Sequence, residues 1–312
     1  MSYSGHVPVM LSQVLAYLRP QDGKTYIDAT FGGGGYTKAI LQAADCNLIA
    51  LDRDPDAITR GRQLENDFGK RLALYQGPFS EMAQAVAENG LSLVDGVVFD
   101  LGVSSFQLAE AERGFSFMRD GPLDMRMSQQ GETAADLLSR LSEAELADVI
   151  YIYGEEKFSR RIAKAIVQAR EEEPFERTLQ LASLIEQVVP KGKPGKKKIH
   201  PATKTFQALR IAVNAELDEV HQGLEEAIRL LAVGGRVVVV SFHSLEDRIA
   251  KQVFKKIAGP RVHKNRYRQT DDNDGEPSYV EVERRVVKPE KAEADENPRA
   301  RSAKMRILER EQ

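Results

Sequence analysis

A chain of 312 residues, 42% hydrophobic and 29% charged, has the composition of a globular protein that buries its own core without disulfide or metal staples. No apolar run approaches the roughly 20 residues that span a bilayer, and the first ten residues lack the pattern of a secretory signal, so a soluble, cytoplasmic protein is expected. One cysteine, Cys46, excludes an internal disulfide and a CxxC metal knuckle, and a net charge of −3 excludes a polycation that coats nucleic acid indiscriminately.

Thr25-Tyr-Ile-Asp-Ala-Thr-Phe31 reads as a short buried strand running into Gly32-Gly-Gly-Gly35, and residues 36–44 have helical spacing. Asn47-Leu-Ile-Ala-Leu51 is a second strand ending on Asp52, after which Asp54-Pro55 supplies an N-cap and a first-turn proline for a helix to about Phe68. Residues 71–75 form a third strand, 81–89 a helix, and Gly96-Val-Val-Phe99 a fourth strand ending on Asp100. Such alternation predicts a parallel sheet with helices on both faces.

After Asp100 the pattern changes. An irregular stretch to Met127 precedes helical segments such as 143–151 and 157–170, with no evident strand. These are the marks of an inserted helical domain, residues 106–198, closed by a basic run. A single helix is expected from Thr203 to Leu231, its stripe packed on the sheet and its end marked by Gly234-Gly235. Arg236-Val-Val-Val-Val-Ser241 is β-branched enough to be a central strand. The expected fold is therefore an α/β, Rossmann-like core, residues 1–105 and 199–312, split by the insertion. Two further strand-like runs, 279–288 and 303–308, stand in the tail.

Glycines after the first strand let backbone N–H groups approach a ligand, and an acid at the next strand end, Asp52, can accept ribose hydroxyls. This pairing reads as a nucleoside site and suits S-adenosyl-L-methionine (SAM) and NAD alike. Thr37 stands where the dinucleotide fingerprint GxGxxG needs its third glycine, which disfavours a dehydrogenase. Asp100-Leu-Gly-Val-Ser-Ser105 places a carboxylate and polar groups where open α/β sheets bind ligands, as methyl transfer to an amine requires.

Asp28-Ala-Thr-Phe-Gly-Gly-Gly-Gly35, Asp52-Arg-Asp-Pro55, Asp100-Leu-Gly-Val-Ser-Ser105, Arg113-Gly-Phe-Ser-Phe117, Gly121-Pro-Leu-Asp-Met-Arg-Met127, His200-Pro-Ala-Thr-Lys-Thr-Phe-Gln-Ala-Leu-Arg210 and Ser241-Phe-His-Ser-Leu-Glu-Asp-Arg248 follow one another along the chain. Together they closely resemble the bacterial 16S ribosomal RNA cytosine-N4 methyltransferase family, also called MraW or RsmH, from His6 to Arg301. The resemblance implies a class I, SAM-dependent enzyme that methylates N4 of a cytidine in the decoding region of 16S rRNA, with rRNA or the small ribosomal subunit as partner. It also places Gly34, Gly35, Tyr36, Asp52, Phe79, Asp100 and Gln107 on the family's cofactor positions. Tyr36 replaces a histidine and Phe106 a proline usual in the family.

Asp100 is the first candidate to hold the amine that is methylated, although a role toward the cofactor alone is equally open. His243, past a central strand, is a candidate to line the base pocket. Ser244 and Asp247 fit a capping box better than a hydrolase triad. The other histidines, His6, His200, His221 and His263, have no zinc spacing, so no metal is expected. Phe115, Phe117 and Met118 read as local core or, with Arg113, Arg119 and Arg126 interleaved, as a stacking surface. Basic clusters at 191–198, 261–268 and 299–306 suit an anionic partner. A nicotinamide oxidoreductase and a catalytically silent RNA-binding factor are the alternatives.

Overall fold

The computed structural model describes residues 8–190, 200–259 and 278–312. The chain divides into two units, Met1–Gly102 with Leu217–Gln312, and Val103–Glu216. In order, the first carries α1 (Leu11–Leu18), β1 (Thr25–Asp28), α2 (Gly35–Ala43), β2 (Asn47–Asp52), α3 (Pro55–Phe68), β3 (Leu72–Gln76), α4 (Met82–Glu88) and β4 (Val94–Asp100). The second is helical: α5 (Ser105–Ala109), α6 (Ala134–Arg140), α7 (Glu143–Gly154), α8 (Ser159–Arg170), α9 (Thr178–Val188) and α10 (Thr203–Asn214). The chain then returns through α11 (Glu216–Leu230), β5 (Leu231–Ser241), α12 (Ser244–Ala258), β6 (Tyr279–Glu281), α13 (Lys291–Glu296) and β7 (Lys304–Arg310). Among the described residues no helix is long and apolar enough to cross a membrane.

The seven strands lie in the order β3-β2-β1-β4-β5-β7-β6. β1 to β5 are parallel, and β7 runs antiparallel to both of its neighbours. This is a Rossmann-like α/β core with a reversed strand inserted near one edge. Alternate residues along each strand feed opposite faces, so Ile27, Val97 and Val237 join one core with α4, α11 and α12, and Tyr26, Val98 and Val238 join the other with α1, α2 and α3. Arg236 and Glu309 face each other across β5 and β7, where the buried guanidinium donates to the carboxylate at 2.6 and 2.9 Å and to the Tyr17 carbonyl at 2.7 Å. Asp54 caps α3 by accepting from the Asp56 N–H at 3.0 Å, with Pro55 in the first turn.

Three expectations are corrected. The helix expected to run unbroken from Thr203 ends at Asn214, where Ala215 adopts a left-handed φ of +49°, and a second helix follows. The apolar stripe is thereby divided, because Phe206 and Leu209 enter the core of the helical unit while Val220, Leu224 and Ile228 cover the sheet. The helical unit accordingly extends to Glu216 rather than stopping at 198. Leu231 to Gly235, expected to close a helix, already belong to β5, which shifts register against β4 between Val94 and Gly96.

Asn214 fixes this end of the second unit. Its buried amide accepts from the Met127 N–H at 2.8 Å and donates to the carbonyls of Met125 at 2.7 Å and Arg210 at 2.9 Å. Removing it strands buried backbone groups at a cost of about 1–3 kcal/mol each. Asn214→Ala should therefore lower the unfolding free energy in urea by roughly 2–4 kcal/mol, and an unchanged denaturation midpoint would show that these bonds do not hold α10 in place.

Candidate active site

Parallel strands bring their carboxyl ends to one edge, where β1 ends on Asp28, β2 on Asp52, β4 on Asp100 and β5 on Ser241. The strand order reverses between β1 and β4, the position at which open α/β sheets bind ligands. The turn after β1 is built on Asp28, which is buried and accepts from the N–H groups of Thr30 at 3.2 Å and Thr37 at 3.1 Å and from Thr37 Oγ1 at 2.7 Å. Thr30 Oγ1 in turn accepts the Asp100 N–H at 2.6 Å, tying the turn to the end of β4. Gly32 N–H donates to Asp52 Oδ2 at 2.7 Å, and Asp54 N–H to Asp52 Oδ1 at 2.8 Å.

The carboxylates at this edge do not ionise as ordinary ones. Burial raises Asp28 to about 6 against the hydrogen bonds from Thr37 and Thr30, and raises Asp52 to about 6 against those from Asp54 and Gly32. Asp100 rises to about 7 through burial, with Asp28 and Glu246 adding to the rise and the Arg299 guanidinium opposing it. Asp100 Oδ1 is buried and accepts no hydrogen bond among the described residues. A polar atom placed so is a receiver for a donor brought by a ligand.

The other expected residues divide. Gly34 caps α2 with a left-handed φ of +73°, and a Cβ there would lie 2.6 Å from Leu64 Cδ1 and 2.8 Å from Phe31 Cζ. The left-handed backbone and this crowding together select glycine at 34, and a Cβ at Gly35 would run into the Pro8 ring. Tyr36 is buried, and its hydroxyl donates to the Val9 carbonyl; burial, with Asp100 and Asp28 nearby, holds the phenol protonated. Phe79 packs edge-on against Phe99 with centroids 5.4 Å apart, in room left by Gly223. The turn that carries it is fixed by the Ser80 N–H and Oγ, which donate to the Glu219 carboxylate at 2.8 and 3.0 Å. Gln107 lies in the second unit, where it closes a capping box with Ser104 on α5.

His243, not Ser244, is the N-cap of α12. Its Nδ1 accepts the Glu246 N–H at 3.4 Å, while the Glu246 carboxylate accepts the N–H groups of Phe242 at 2.8 Å and His243 at 3.2 Å. The expected partner Asp247 is taken instead by β7, pairing with Lys304 at 2.9 Å and Arg306 at 2.6 Å. Two cations of the basic cluster at 299–306 are thereby spent inside the unit, and the clusters at 191–198 and 261–268, with His6 and His263, lie outside the described residues. His243 also lines a cavity of about 490 Å³ with Phe242, Ser244, Lys288, Arg301 and Lys304. Phe115 is buried, and Phe117 packs against His200 and Phe206, so only Met118 of that trio is largely exposed.

Sequence reasoning missed Asp28, Thr30, Glu246 and Arg299. Glu246 stands three residues after His243, a capping-box spacing open to inspection, but its burial at 2% exposure was not. Among the described residues no three His, Cys, Asp or Glu side chains gather as a metal set.

Comparison with known proteins finds sequence likeness over nearly the whole chain. Proteins named ribosomal RNA small subunit methyltransferase H from Rhodospirillum rubrum and Gluconobacter oxydans are 52% identical over 309 residues and 53% over 306. The alignments cover 98% of this chain in both cases, and 94% and 93% of the relatives. A solved rRNA methylase from Streptococcus thermophilus aligns over 97% of this chain and 94% of its own at 10% identity, with a TM-score of 0.43, too loose a likeness to carry an argument. The model of the MraW methylase family matches residues 3–311, and the chain belongs to that family.

Proposed function

We propose that this chain is a cytoplasmic enzyme that transfers a methyl group from SAM to the N4 amine of a cytidine in the decoding region of 16S rRNA, free or within the small ribosomal subunit. The observation that carries the reading is the unpartnered, buried Asp100 Oδ1 at the switch point of the sheet. Membership of a methylase family and the names of the relatives support methyl transfer and an RNA substrate. Thr37 speaks against a nicotinamide cofactor, because it is fully buried and spends its hydroxyl on Asp28 where a dinucleotide site needs glycine.

The residues present fit SAM. Asp52 would accept the ribose hydroxyls, since each of its oxygens has one bond from the backbone and a lone pair to spare. Phe79 offers a half-buried ring at the end of β3, and the turn at residues 32–35 gives close backbone approach. When bound, SAM supplies an electrophilic methyl group on a sulfonium. Cytosine N4 is a weak nucleophile because its lone pair is delocalised into the ring. Asp100 would hold an amine hydrogen, turn the nitrogen toward the methyl carbon and take the proton released as the N–C bond forms, while the electrons of the broken S–C bond stay on sulfur. A base that ionises near 7 suits this task at neutrality. The helical second unit would recognise the RNA.

Asp52→Ala should keep the fold and weaken SAM binding by about 1.5–3 kcal/mol, roughly ten- to a hundredfold. Unchanged affinity by calorimetry would remove Asp52 from the cofactor site.

The raised carboxylates also set a pH dependence. A base must be deprotonated, so single-turnover methylation should rise with pH to about 7 and level off above it. In Asp100→Asn the rate should fall roughly 10²–10⁴-fold and that limb should vanish. A limb of the same position in Asp100→Asn would assign the proton acceptor elsewhere. Stability carries the opposite sign: folded values above the ordinary carboxylate range mean that the native state holds protons the unfolded chain releases. Stability contributed by these groups therefore falls as pH rises from about 4 to about 7 and is constant beyond.

Methylation at cytosine C5 would need a thiolate to add to the ring. Cys46 is buried at the amino end of β2, the far end of that strand from Asp52, and burial raises its thiol. Cys46→Ala should retain most activity, with N4-methylcytidine as product by mass spectrometry. A covalent adduct of the protein with 5-fluorocytidine RNA would instead establish C5 chemistry.

A further inference from the structure

Helix α8, Ser-Arg-Arg-Ile-Ala-Lys-Ala-Ile-Val-Gln-Ala-Arg, carries four cations and no acid. Arg170 is used internally, donating to the carbonyls of Leu138 and, at 2.7 Å, Leu141. Arg160, Arg161 and Lys164, with Lys157 just before the helix, are all exposed. At 100° per residue Arg160, Arg161 and Lys164 share one arc, opposite the buried Ser159, Ile162, Ala163 and Ile166, and Lys157 stands in the turn just before it. Among the described residues none of the four makes a side-chain hydrogen bond or ion pair.

This charge pattern runs against the helix that bears it. Backbone dipoles favour acids in the first turn and cations in the last, yet α8 has two arginines in its first turn and Glu171, Glu172 and Glu173 just past its end. Its N-cap, Phe158, gives no side-chain hydrogen bond. In the same unit α6 and α7 follow the rule, with capping boxes of Thr133 with Asp136 and Ser142 with Glu145 and acids in their first turns. A solvated face would carry both signs. α9 and α10 also lack first-turn acids, but α8 alone among these helices opens on two arginines, and an exposed, unpaired cationic face of this kind suits an anionic partner.

We infer that the face of α8 formed by Lys157, Arg160, Arg161 and Lys164 binds the phosphate backbone of the RNA substrate. The inference rests on the reading that the substrate is RNA. From 160 to 164 the helical cations rise about 6 Å along the axis, which along one strand of a duplex meets about two phosphates, with Lys157 before them. Lysines and arginines on a helix face position a nucleic acid without reading its sequence, so the contribution should be to affinity and not to choice of base.

The test is the full-length triple variant R160Q/R161Q/K164Q, with K251Q/K255Q/K256Q on α12 as a control of equal charge. Binding of in-vitro transcribed 16S rRNA is titrated at several salt concentrations, and SAM binding is measured separately. The α8 variant should bind RNA at least tenfold more weakly near 0.1 M salt, with a slope of log K against log salt shallower by about two. Its SAM affinity should be unchanged, and its Tm equal or higher because the first turn is relieved of cations. The control should bind as the unaltered protein does. Wild-type affinity and slope in the α8 variant, or an equal loss in the control, would overturn the assignment while leaving the RNA substrate intact. If the unaltered protein binds no 16S rRNA, both readings fall together.

Discussion

The buried carboxylate of Asp28 organises the sheet edge on which every proposed function depends. A charge in that position is tolerated only if hydrogen bonds replace its lost water, and three donors from Thr30 and Thr37 do so. In satisfying Asp28 the chain is forced into one turn between β1 and α2. That turn aims the Gly32 N–H at Asp52 and presents the Thr30 hydroxyl to the Asp100 backbone. One ionised group thus aligns the ends of three strands, and preorganisation of this kind supplies catalytic positioning before any substrate arrives.

The same turn separates two reasons for glycine that sequence motifs run together. Gly34 is fixed by its left-handed φ and by Phe31 and Leu64 packed where a side chain would begin, so its presence needs no ligand. Gly102, just after β4, has a φ of +92° but open space, with nothing nearer than 3.8 Å to an added Cβ. There the backbone conformation, and not crowding, selects glycine. Tyr36 shows a related trade: its ring fills the core, and its hydroxyl is spent on the Val9 carbonyl instead of facing the edge.

Where local chemistry decides, the sequence was legible. The β-branched run of residues 237–240 needs two apolar faces, and Asp54-Pro55 can only open a helix, so β5, α3 and the acids at strand ends were readable without coordinates. Where competition between equal local options decides, it was not. Residues 203–231 keep a helical stripe throughout, and nothing in their spacing says that half of it belongs to another core or that Ala215 turns left-handed. His243 and Ser244 are both plausible caps; burial of Glu246 and capture of Asp247 by Lys304 and Arg306 settle the matter through β7, more than 50 residues away. The charge of α8 was visible in the sequence but carried no meaning until its exposed arc and its lack of partners were known.

Electrostatics impose a division of labour on such a protein. An edge bearing Asp28, Asp52, Asp100 and Glu246 suits a sulfonium and a base that must lose a proton, but negative charge there repels a phosphate chain. The net charge of −3 leaves no general attraction to offset that repulsion. On the proposed reading, affinity for RNA would therefore come from cations concentrated away from the acids and not neutralised by them. The cluster at 299–306 fails this condition, because Asp247 holds Lys304 and Arg306, and Arg299 acts on Asp100, opposing part of the rise in its pKa. Within the second unit, Arg160, Arg161 and Lys164 of α8 meet the second condition among the described residues, because none of them is paired although Glu155, Glu156 and Glu171 to Glu173 flank the helix.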